Sequence, residues 1–114
     1  MNTALDVFKK VSEHLLTQNE KALDANRHCV YISKTGLKCA VGCLIDDDFY
    51  FRELGVLGVR DAALKNALKL SGVPITEEVL KLLEELQQLH DFVKPEGWVA
   101  ELARVKIDFF GGEV

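Results

Sequence analysis

The chain has 114 residues and a net charge of −4, with 48% apolar and 28% charged residues, a balance that excludes both an intrinsically disordered chain and a membrane-embedded one. Its length predicts one domain over residues 1–114, large enough to bury about two thirds of its unfolded surface. Residues 1–45 hold 6 Lys and Arg against 4 Asp and Glu, and residues 46–114 hold 8 against 14, which argues against a general nucleic-acid binder with a basic face.

The opening stretch MNTALDVFKK carries Asp6, Lys9 and Lys10 where a secretory signal would need an apolar run. The longest apolar runs, CAVGCLI and LGVLGV, fall far short of the ~20 residues needed to cross a bilayer. Three cysteines, an odd number in a chain with its own core, argue for a reducing compartment rather than a disulfide scaffold. The expectation is a soluble cytosolic protein.

Over residues 3–18, Ala4, Phe8, Val11 and Leu15 recur at helical spacing, with Leu5 and Leu16 widening the stripe. Thr3 followed by Asp6 is a capping-box pattern. HCVYIS then reads as a strand and LKCAV as its partner across the Lys34, Thr35 and Gly36 turn, giving a β-hairpin over about residues 28–41. FYFREL predicts one or two helical turns, and residues 61–71 a short helix stopped by Gly72 and Pro74.

The strongest helical pattern spans residues 76–92. Thr76 is its N-cap, Glu77 and Glu78 favour the positive end of the dipole, and Val79, Leu82, Leu83, Leu86, Leu89 and Val93 form its stripe. Pro95 opens a last helix with Trp98, Leu102, Val105 and Phe109 on one face, closed by Gly111 and Gly112. RVKIDFF also alternates with period two, so a third strand competes there with the favoured helix. The predicted class is α+β: an N-terminal helix, a hairpin, then three or four helices.

Chemistry concentrates in GLKCAVGCLIDDD. Cys39 would gain reactivity if a helix N-terminus or Lys38 lowered its pKa, and His90 with Asp91 could serve as base and orienting acid. A Cys39, His90 and Asp91 site is therefore the catalytic alternative, as a thiol enzyme or small-ligand binder. Zinc held by Cys29, Cys39, Cys43 and either His28 or His90 has the wrong spacing for the usual knuckles. Asp46, Asp47 and Asp48 lack the ligand spacing of a calcium loop and read instead as caps of the following turn. No cofactor is expected, and no metal.

CVYISKTGLKCAVGCLIDDDFY, with LEELQQLHD and the Trp and Leu of PEGWVAEL downstream, resembles a family of small, largely uncharacterised proteins of tailed bacteriophages and prophages. The likeness covers most of the chain, from about Val7 to Val105. It is carried by Cys29, Tyr31, Gly36, Cys39, Ala40, Gly42, Leu44, Ile45, Asp47, Tyr50, Leu86, His90, Asp91 and Trp98. The chain departs from the pattern at Asp46, where the family has proline, and at FRELGVLG, where an acidic or proline-containing segment follows the tyrosine.

The resemblance implies a small accessory protein in the host bacterial cytosol that binds and modulates, usually by inhibition, a host or defence protein without catalysis. Self-association is compatible with this. Residues expected to meet a partner are Asp46, Asp47, Asp48, Tyr50, Glu84, Glu85 and Asp91, the acidic surface facing a basic partner.

Overall fold

Thr3 starts the first helix as its spacing predicts: its hydroxyl accepts from the Asp6 N–H, and the Asp6 carboxylate accepts from the Thr3 N–H. The computed structural model describes residues 1–111. Among them are four α-helices: α1 Ala4–Gln18, α2 Ala62–Leu70, α3 Glu77–Phe92 and α4 Trp98–Phe110. Asp61 and Thr76 cap α2 and α3 by accepting from Ala63 N–H and Val79 N–H, each satisfying an amide that has no partner within its helix. Asn19 and Gly111 end α1 and α4 with φ of +53° and +74°. Gly112, expected as part of that last stop, lies outside the described residues.

α1, α3 and α4 pack against one another. Val7, Val11 and Leu15 of α1 meet the stripe of α3, including Leu82, Leu83 and Leu86, and that of α4, including Trp98, Leu102 and Val105, in one buried cluster. Each such side chain contributes about 1.5–3 kcal/mol on leaving water. α2 adds Leu64, Ala67 and Leu68 to the same cluster. RVKIDFF is helical, within α4. Pro95 begins a short 3-10 turn, Pro95–Gly97, rather than α4 itself. Leu16, expected to widen the apolar stripe of α1, is 43% exposed, and Val7 occupies the core instead.

The α+β expectation is overturned. No strand exists among the described residues, and the fold is all-α. In place of a hairpin over 28–41 there are two isolated bridges, Leu23 with Cys29 and Ile32 with Lys38. The pairing capacity of the first segment is thus divided between two partners, and neither ladder propagates. The second segment is prevented from continuing by its burial. Cys39, Ala40 and Val41 are all fully buried in succession, which an alternating half-exposed strand does not allow.

Gly42 completes the break. A Cβ at this position would lie 2.0 Å from the Tyr31 carbonyl oxygen, so only glycine admits the approach. From there the chain enters the 3-10 turn Gly42–Leu44. Two further 3-10 turns, Asp47–Phe49 and Arg52–Val56, account for the short helical segment expected at FYFREL.

Candidate functional site

The last turn of α3 carries the densest polar arrangement in the interior. His90 is fully buried, and its Nε2 accepts from the Ala22 N–H at 3.1 Å. An amide can only donate, so the ring proton resides on Nδ1, which donates to Asp91 Oδ1 at 2.8 Å. Trp98 stacks on the ring with centroids 5.7 Å apart, and its own Nε1–H donates to the Val93 carbonyl at 2.8 Å.

Asp91 is the hub around this ring. Gln87, one turn earlier, donates to Asp91 Oδ1 at 2.8 Å while its carbonyl oxygen accepts from Val41 N–H at 3.1 Å. Lys21 donates to the Asp91 backbone carbonyl at 3.0 Å. Burial pushes the Asp91 carboxyl up, but hydrogen bonds from His90 and Gln87 outweigh it and hold the pKa below its ordinary value. The arrangement ties α3 to the 21–22 segment and to the Cys-Ala-Val-Gly block. It was only half legible in the sequence: His90 and Asp91 stood out, whereas Gln87 was missed although its spacing to Asp91 is that of a helical i, i+4 pair.

Cys29 approaches the same place. Its Sγ and the ligating atoms of His90 and Asp91 lie within 4.8 Å of one another, a set that could be drawn as metal ligands. The hydrogen bonds oppose that reading. A metal at Nδ1 would have to displace the ring proton while Nε2 remains an acceptor from Ala22, leaving an imidazolate, or else break the buried Ala22 contact. Burial and the Asp91 charge push the Cys29 thiol up to about 11, so in the metal-free protein it is protonated near neutral pH. The group is a structural brace.

The other cysteines are also held in structural roles. Cys39 is fully buried with its sulfur accepting from Gly42 N–H at 3.2 Å, and burial pushes its pKa far up. Cys43 donates to the Ala40 carbonyl at 3.1 Å; burial pushes it up to about 12 even though Lys10 and Lys38 act in the other direction. Both ring nitrogens of His90 are occupied by Ala22 and Asp91, so the Cys39, His90 and Asp91 arrangement lacks the nucleophile-to-base contact a thiol enzyme needs.

The residues expected to meet a partner are distributed over different settings. Asp46, Asp47 and Asp48 are exposed, and none of their carboxylates caps the following turn. The Asp46 N–H instead donates to Ser71 Oγ at 2.9 Å, and Asp47 lies 3.4 Å from Lys38 Nζ. Glu84 shares Arg60 with Glu77, at 3.1 and 2.7 Å. Glu85 lies 3.7 Å from Arg104, which also holds Glu101 and Asp108. Much of the acidic charge on α3 and α4 is thereby matched within the protein. Tyr50 is half-buried and borders a groove of about 500 Å³ with Val30, Ile32, Lys34 and Arg52.

No helix among the described residues is long and apolar enough to cross a membrane. No protein-family model, curated protein or solved structure matches the chain.

Proposed function

We propose that this is a phage- or prophage-type accessory protein that binds and modulates a host or defence protein in the host cytosol without catalysing a reaction. The observation supporting the non-catalytic part is the internal engagement of the His90 brace. Its ring nitrogens are saturated by Ala22 and Asp91, and burial raises the pKa of all three thiols. The groups that would do chemistry therefore serve to hold the Cys-Ala-Val-Gly block on α3.

The phage setting rests on the resemblance carried by that block and by LEELQQLHD. Large apolar side chains at the surface, Phe92 at 83% exposure and Val99 at 66% among them, provide contact area of the kind interfaces use. The decisive experiment expresses the tagged protein in a bacterial host, identifies a co-purifying protein, and repeats the association with the two purified components by calorimetry. A stoichiometric complex that alters the partner's activity supports the proposal. Turnover of a substrate by the isolated protein, lost in Cys39→Ala, would overturn it.

A further inference from the structure

We propose that the groove beside Tyr50 receives an extended acidic peptide segment of a protein partner. The inference rests on the reading of the protein as a binder and names the chemistry it recognises. The groove is lined by the apolar side chains of Val30 and Ile32 together with the cations Lys34 and Arg52. Both cations are exposed, and neither forms an ion pair among the described residues.

The one carboxylate lining the groove, Asp24, stays ionised but is outnumbered by Lys34 and Arg52, so the lining keeps a net positive charge. It accepts from the Asn26 and His28 N–H groups at 2.8 and 2.9 Å, and the backbone bond from His28 above all holds its pKa below the ordinary value. The Tyr50 hydroxyl has no hydrogen-bond partner among the described residues. It lies 3.4 Å from the position a Cβ on Gly55 would take, so the glycine keeps that side open. Two cations and a phenol around aliphatic side chains fit a carboxylate carried next to an apolar group.

The backbone favours a peptide over a small anion. Around residues 28–33, Val30 N–H pairs with Ala22, Tyr31 C=O with Cys39, and Ser33 N–H with Leu37. The N–H and C=O of Ile32, between these bonds, have no backbone partner among the described residues. An extended chain laid along this segment would pair with Ile32 while its side chains enter the groove, the division of labour by which edge-added strands are recognised. Phe51, 51% exposed, adds apolar surface next to Tyr50 and Arg52.

The test is a titration of the isotopically labelled full chain with acetyl-Val-Glu-Val-Glu-Val-amide, followed by amide chemical shifts. Shifts should concentrate at residues 30–34 and 50–55. Affinity should fall about tenfold or more with the glutamine version of the peptide and in the Lys34→Glu, Arg52→Glu double variant. Both positions are exposed, and a thermal melt checks that the variant folds; Arg52→Gln alone should show a smaller loss in the same direction. Absence of shifts at these amides at ~1 mM peptide, unchanged affinity in the double variant, or equal shifts with sodium glutamate alone would each overturn the proposal. A host partner captured equally by wild type and double variant would overturn the groove and leave the binding function standing. Peptide bound at the groove with no partner captured would do the reverse.

Discussion

Replacing Gly42 by alanine tests the central packing relation, because its two consequences have opposite signs. Gly42 starts a 3-10 turn, a conformation alanine adopts freely, so the unfolded-state effect alone would stabilise the variant by about 0.4–1 kcal/mol. The added methyl group, however, would sit 2.0 Å from the Tyr31 oxygen and 2.8 Å from its carbonyl carbon. Relief requires the backbone at Tyr31 to move by about 1 Å, since real Cβ atoms essentially never approach closer than 3.0 Å. That carbonyl accepts from Cys39 N–H at 3.0 Å.

Overpacking of this kind costs about 1–3 kcal/mol, and losing the buried hydrogen bond about 1 kcal/mol more. The net expectation is a loss of about 1–3.5 kcal/mol and a melting temperature lower by about 5–15 °C. Urea unfolding of Gly42→Ala beside Gly58→Ala measures it, because a Cβ at Gly58 meets nothing within 4 Å. A Gly42→Ala variant as stable as wild type would refute the argument.

His90→Leu keeps much of the side-chain volume but leaves the Ala22 N–H without a partner and the Asp91 carboxylate with Gln87 alone, so urea unfolding should show a loss of about 2–4 kcal/mol. Undiminished stability would remove the bracing role. Asp91 has a folded pKa below its unfolded value, so the stability it contributes is complete above the unfolded pKa of about 3.9 and is lost as pH falls through the folded value. Asp91→Asn should therefore lie below wild type near neutral pH and converge on it in acid; a constant gap across the range would contradict the linkage. Ser12, whose buried hydroxyl oxygen has no hydrogen-bond partner in α1 or elsewhere among the described residues, should be replaceable by alanine with a gain of about 1 kcal/mol, read from the urea midpoint. Iodoacetamide near neutral pH should leave Cys39 and Cys43 unlabelled until urea unfolds the chain; rapid native labelling of Cys39 would revive the thiol-enzyme alternative.

The helices were legible because their signals are local. Thr3 with Asp6, Thr76 before two glutamates, and stripes repeating every three or four residues specify start, face and length within a few turns of chain. The competing strand at RVKIDFF yielded to the helix for the same reason: Leu102 and Val105 bury on the α4 face already set by Trp98.

The 28–41 region was not legible, since β-branched, aromatic and apolar residues around a Gly turn suit either a hairpin or a buried irregular crossing. Only tertiary structure decides between them. Here Tyr31 is drawn under Gly42, its hydroxyl donating to the Leu57 carbonyl, and the Cys39, Ala40 and Val41 run is buried entirely. The same holds for the would-be active site. His90 lies 68 residues from Ala22, and no spacing rule announces that a backbone amide will arrive at its ring. The sequence by itself determined which groups were capable of chemistry; tertiary packing decided that they would be partnered with the protein's own backbone, because a buried polar group without a partner costs more than the fold can easily sustain.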